Sequence, residues 1–189
     1  MNKPKLLVSI LFLFSIFITF SCSNEPVDSL LAAQVAENNA NGGNGGGSSS
    51  GNFTATIDGA NFTADNIVAN MTNNPILGNT LNIIGLKSSG EYISVTLVAP
   101  AVGTFTANNS FDPLHPAILS YQQNPSSSDI YTASNSSMSP TGAITITSFD
   151  SANKKISGTF NFDGYLSSGS GAVKHITNGV MNDISYVIQ

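Results

Sequence analysis

The stretch "GAITITSFDSANKKISGTFNFDGYL", residues 142–166, decides the fold. Ile144 and Ile146 alternate with Thr145 and Thr147. After the polar run "SANK", Phe160 and Phe162 alternate with Thr159, Asn161 and Asp163. Apolar residues recurring every second position put one face of a strand against a core and the other towards water. Two such runs joined by a short polar turn predict an antiparallel hairpin.

The same period extends outward in both directions. "FTATID" places Phe53, Ala55 and Ile57 on one face, and Asp58-Gly59 then signals a tight turn, so residues 53–65 read as a hairpin. "TLNIIGLK" (80–87) and "YISVTLVA" (92–99), joined by "SSGE", predict a second, and "VGTFTA" (102–107) a further strand. Residues 108–140 are the least regular, with Pro113, Pro116, Pro125 and Pro140; "AILSYQQ" and "DIYTAS" are short strand candidates within them. The last residues, to Gln189, supply one or two more strands. No segment of the domain has the 3.6-residue period of a helix. The expectation is an all-β domain over residues 53–189. It should form an antiparallel β-sandwich or a partly open β-barrel of roughly nine or ten short strands. "GTF" occurs twice, at 103–105 and 158–160. Glycine within a strand marks a bulge or bend, so both copies read as structural.

The other end of the chain reads as an address. Lys3 and Lys5 precede 15 uncharged residues, Leu6 to Phe20, and Ser21-Cys22 follow. That run fits a signal-peptide h-region and is short for a membrane span. Cys22 is the single cysteine of the chain, so no internal disulfide is available. Its position predicts a bacterial lipoprotein signal over residues 1–21, with Cys22 as the acylated (diacylglycerol, palmitate) mature terminus. Thr19 departs from the leucine commonest three residues before such a cysteine. More than one acyl chain gives lasting membrane anchorage. The expected location is the cell envelope, anchored in the outer membrane, with periplasmic and surface-facing orientations both open. Residues 22–52 then form an anchor and tether. Asn38 to Asn52 hold only Asn, Gly and Ser apart from Ala40, a composition with no core to build, spanning roughly 20 Å as a coil. Asp28-Ser29-Leu30 fits a short bacterial O-glycosylation pattern, with Ser29 as acceptor.

Composition excludes several functions. Without residues 1–21 the chain keeps four lysines, no arginine and eleven carboxylates, a formal charge of −7. Nucleic-acid binding rests on dense Lys/Arg contacts and is excluded as a partner class. His115 and His175 stand alone, with no thiol left to make a zinc-ligand spacing. No Gly-x-Ser-x-Gly elbow occurs. Glu91 is the domain's one glutamate, and its aspartates fall mostly in turns, so paired-carboxylate catalysis is not expected. Asp150, Asn153 and Asp163 are weak candidate calcium ligands, without the spacing of a calcium loop. No cofactor and no enzymatic activity are expected.

The signal, the low-complexity spacer, and then "FTATIDGANFTAD", "ITITSFDSANKKISGTFNF" and "ITNGVMNDISY" in that order resemble an uncharacterised family of Bacteroidota lipoproteins with a C-terminal all-β domain. The likeness covers most of residues 53–186 and implies location and architecture, not chemistry. Together these features point to a membrane-anchored, non-enzymatic binding or adhesion domain. Its partners would be a glycan or an envelope protein, met through loop aromatics if Tyr121 and Tyr131 lie in loops; the same tyrosines fit a core equally well. The alternatives are a structural component of an envelope assembly, working by edge-strand pairing, and a weak enzyme.

Overall fold

The structure is a computed structural model that describes residues 49–74, 78–107, 117–124, 126, 128–134, 139–166 and 171–189. Twelve strands and no helix occur among them: β1 (Asn52–Ile57), β2 (Ala60–Thr63), β3 (Asn66–Asn74), β4 (Gly78–Leu86), β5 (Tyr92–Val98), β6 (Gly103–Ala107), β7 (Ala117–Gln122), β8 (Ile130–Thr132), β9 (Gly142–Asp150), β10 (Lys155–Leu166), β11 (Val173–Ser185) and β12 (Val187–Ile188). All join one sheet, in the order β12-β3-β4-β5-β7-β6-β9-β10-β11-β1-β2, with β8 bridging β7 and β10.

The expected hairpins form. β9 and β10 pair from Asp150 opposite Lys155 to Gly142 opposite Phe162. β1 and β2 close on Asp58-Gly59, whose φ values of 48° and 86° make the doubly left-handed turn that matches strand twist. β4 and β5 pair from Leu86 opposite Tyr92. The two short candidates in the irregular region are β7 and β8.

Twelve strands replace the nine or ten expected, and two pairings, β12 with β3 and β6 with β7, are parallel. The strand the sequence did not announce is β3. Its Ile67, Ala69 and Met71 are buried at period two. Asn66 stands before them, Asn70 between, and Asn73 and Asn74 after, and asparagine is depleted in strands. The nine-residue ladder to β4 overrides that local preference.

The sheet curls back on itself. β12 follows β11 after Tyr186 alone, yet it pairs with β3 at the far end of the strand order. Ser49 and Ser50, read from sequence as part of the tether, bridge the same seam. Ser49 N–H donates to the Ile67 carbonyl at 2.8 Å, and the Ser49 hydroxyl accepts from Ala69 N–H at 3.1 Å. Ser185 N–H donates to the Ser50 carbonyl at 3.0 Å. Phe53 of β1 lies over Gly85 of β4, where a Cβ would collide with its ring. The arrangement is a partly open barrel around one core.

That core is continuous from Phe53 and Phe62 to Ile144, Phe160 and Ile184. Phe53 meets Phe62 edge-on at 6.3 Å between centroids and Phe160 at 5.3 Å. Burying each such ring contributes about 1.5–3 kcal/mol. The two Gly-Thr-Phe copies flank β9 from either side. Gly103 and Gly158 both pair with Ile146, and Phe105 and Phe160 both with Ile144. Gly158 sits at a register shift, as a bulge glycine should, and Phe160 is fully in the core while Phe105 is half-buried against it.

Candidate functional site

The end of the barrel carrying the β4–β5 turn brings together Asp65, Lys87, Ser88, Glu91 and Tyr121. The turn itself is tight: Gly90 N–H donates to the Lys87 carbonyl, and Lys87 N–H to the Glu91 carbonyl, both at 2.8 Å. Asp65 braces it by accepting from the Ser88 N–H at 2.7 Å and hydroxyl at 2.8 Å. These bonds hold the Asp65 carboxyl below its usual 3.8. Lys87 Nζ pairs with Glu91 Oε2 at 2.7 Å and lies 4.9 Å from the Phe62 ring centroid.

β5 pairs with β7 so that Tyr92 stands opposite Gln122. That register carries the β4–β5 turn to the β7–β8 loop. Tyr121 is fully buried there and donates its hydroxyl to Glu91 Oε1 at 2.8 Å. Burial first, and the Glu91 bond second, push its phenol far above the ordinary value of 10.0, so it remains a donor. Its ring lies 6.0 Å from that of Tyr131, tilted by 39°. Tyr131, half-buried, also rests on β10: a Cβ at Gly164 would stand 2.9 Å from the Tyr131 Cβ. The Tyr121 ring on one side and the Gly164 backbone beneath its Cβ thus position Tyr131.

Beside it opens a cleft of about 510 Å³ lined by Ser89, Gln123, Asn124, Asp129 and Tyr131. Asn124 shapes its loop: its carbonyl accepts from Gln122 Nε2 at 3.2 Å and its side-chain oxygen from Ser126 N–H at 2.9 Å. The lining is a phenol ring, two amides, a hydroxyl and a carboxylate. Such a set can rest an apolar ring face and hydrogen-bond around its rim.

Next to this end, Lys174 Nζ binds Asp58 Oδ2 at 2.8 Å, and Asp58 Oδ1 accepts His175 N–H at 2.9 Å. The Lys174 bond, then that of His175, lowers the Asp58 carboxyl, and Asp58 raises the Lys174 ammonium. His175 Nδ1 meets Asp163 Oδ1 at 2.7 Å, both side chains well exposed.

The three weak calcium candidates do not come together. Asp150 accepts from Ala152 and Asn153 N–H at 3.0 and 2.9 Å and from Asn153 Nδ2 at 2.7 Å, which makes it a turn former. Asp163 lies eight residues along β10 from Lys155, the partner of Asp150, about 25 Å of strand away. Among the described residues no group of three or more His, Cys, Asp or Glu side chains converges as a metal site. Cys22, Ser29 and His115 lie outside the described residues.

A family model described as a domain of unknown function, DUF6252, matches residues 49–185. The chain belongs to that family. No curated protein and no solved structure matches it with significance. The DUF6252 match begins at Ser49, the residue whose hydrogen bonds open the domain, and takes in all five lining residues of the cleft.

Of those five, sequence reasoning singled out only Tyr131. The signal within reach was "YQQNPSSSDIY", an amide-rich loop between two tyrosines. Ser89 gave none, because it joins the cleft of the DUF6252 domain through the β5–β7 register alone.

Proposed function

We propose that this protein is a Bacteroidota lipoprotein, anchored in the outer membrane through Cys22, whose DUF6252 domain binds a ligand of the cell envelope without transforming it. The layout of residues 1–22 supports the anchor, and the positioned Tyr131 ring beside a polar cleft carries the binding reading. A pre-positioned aromatic loses little freedom when a ligand arrives, which favours binding.

Two experiments test the two halves. Cys22→Ser should leave the precursor unprocessed and without label in cells fed radioactive palmitate; normal labelling would sink the anchor. The purified domain should retain an envelope component from detergent-solubilised membranes, and Tyr131→Ala should release it. Retention unchanged in that variant would remove the cleft as the binding site.

A further inference from the structure

We infer that the cleft takes an uncharged sugar ring, stacked on Tyr131 and hydrogen-bonded at its rim. This deepens the binding reading above and rests on it.

Three observations carry the assignment. The first is the chemistry of the lining. A pyranose offers an apolar patch of C–H groups on one face and hydroxyls around its edge. An aromatic ring suits the face, and mixed donors and acceptors suit the edge. Ser89, Gln123, Asn124 and Asp129 supply a hydroxyl, two amides and a carboxylate beside the Tyr131 ring.

The second is charge. An anionic sugar needs a cation, and this chain has no arginine. The lysines of the surrounding strands and turns are committed: Lys87 to Glu91 at 2.7 Å, and Lys174 to Asp58 at 2.8 Å. Among the described residues the carboxyl that lines the cleft is that of Asp129. A uronate or sulfated unit would place its charge beside the Asp129 carboxylate, a like-charge approach that costs binding energy.

The third is the mounting of the platform. The Tyr131 ring lies against that of Tyr121, its Cβ sits close over β10 at Gly164, and Tyr121 is itself pinned by Glu91. The lining groups Ser89, Gln123, Asn124 and Asp129 are all exposed, so an open, shallow site is presented to a chain running past rather than to a molecule swallowed whole.

The test is electrophoresis of the purified domain through gels containing soluble polysaccharides. The neutral probes are laminarin, mannan and galactan; the anionic ones are alginate and polygalacturonate. At least one neutral polysaccharide should retard the domain, and neither anionic one should. Tyr131→Ala should weaken the retardation about tenfold or more, as loss of an aromatic anchor does. Tyr131→Phe, which keeps the platform and its packing, should bind nearly as wild type. Gln123→Ala, on an exposed side chain, should weaken binding without touching the fold.

Retardation by the anionic polysaccharides, or full retardation of Tyr131→Ala by a neutral one, overturns the assignment. So does the absence of retardation by all three neutral probes. If the membrane extract then yields a protein partner lost in Tyr131→Ala, the sugar fails and the binding site stands. If nothing captured depends on Tyr131, both fall.

Discussion

Gly51 ends a run of glycines and serines, yet it is held in place. Its φ is +119°, and a Cβ there would stand 2.6 Å from the Asn182 carbonyl oxygen. Any side chain must push the β11 backbone away and adopt a conformation that L residues avoid. Gly51→Ala should therefore destabilise the domain by about 1–3 kcal/mol. In urea the midpoint should fall with the slope unchanged, and an unmoved midpoint would refute the constraint. Composition concealed this, since one glycine reads like another in such a run. Tyr121 was half-legible in the same way. The sequence left it open between a loop aromatic and a core residue, and its bond to Glu91 depends on a residue 30 positions away. Asp150 went the other way: an acid-turn-amide run that resembled a ligand set satisfies its own turn.

Elements whose partners are close in sequence were the readable ones. β1–β2, β4–β5 and β9–β10 each carry their period and their turn within some twenty-five residues. β3 is ordered by its ladder to β4 against its own asparagines. β6 pairs with β9 rather than with the strand before it, so its neighbours had to come from the fold. That pairing has a visible product. Thr104, Thr145, Thr159, Val180, Thr54 and Thr63 stand opposite one another in turn across six strands. Thr104 and Thr145 share a hydroxyl–hydroxyl bond of 2.9 Å. Cross-strand threonine pairs of this kind contribute a few tenths of a kcal/mol each, about 0.2–1. The cleft belongs to the same class of feature. It exists because β5 finds β7, a match that hydrophobic alternation allows but does not specify.

For the molecule as a whole, acid is the predicted weakness. Asp58, Asp65 and Asp150 all have carboxyls lowered below 3.8, held by Lys174, by Ser88 and by Asn153 respectively as the foremost causes. A folded value below the unfolded one means stability that is present above the unfolded value and lost as pH falls through the folded one. Lys174 is raised by Asp58, so its share is complete below its ordinary 10.5 and fades as pH climbs past the folded value. The melting temperature should stay level from neutral pH down to about 5 and drop below about 4, as followed by circular dichroism. A melting temperature that rose below pH 4 would contradict this. The seam of the barrel has a mechanical consequence. Ser49 and Ser50 clip β3 to β11 at the start of β1. A pull applied on the amino-terminal side of Ser49 would meet this clip first. Beyond it the bonds of β1 to β11 and β2 lie side by side along the strand, so they would share such a load in shear rather than open one at a time.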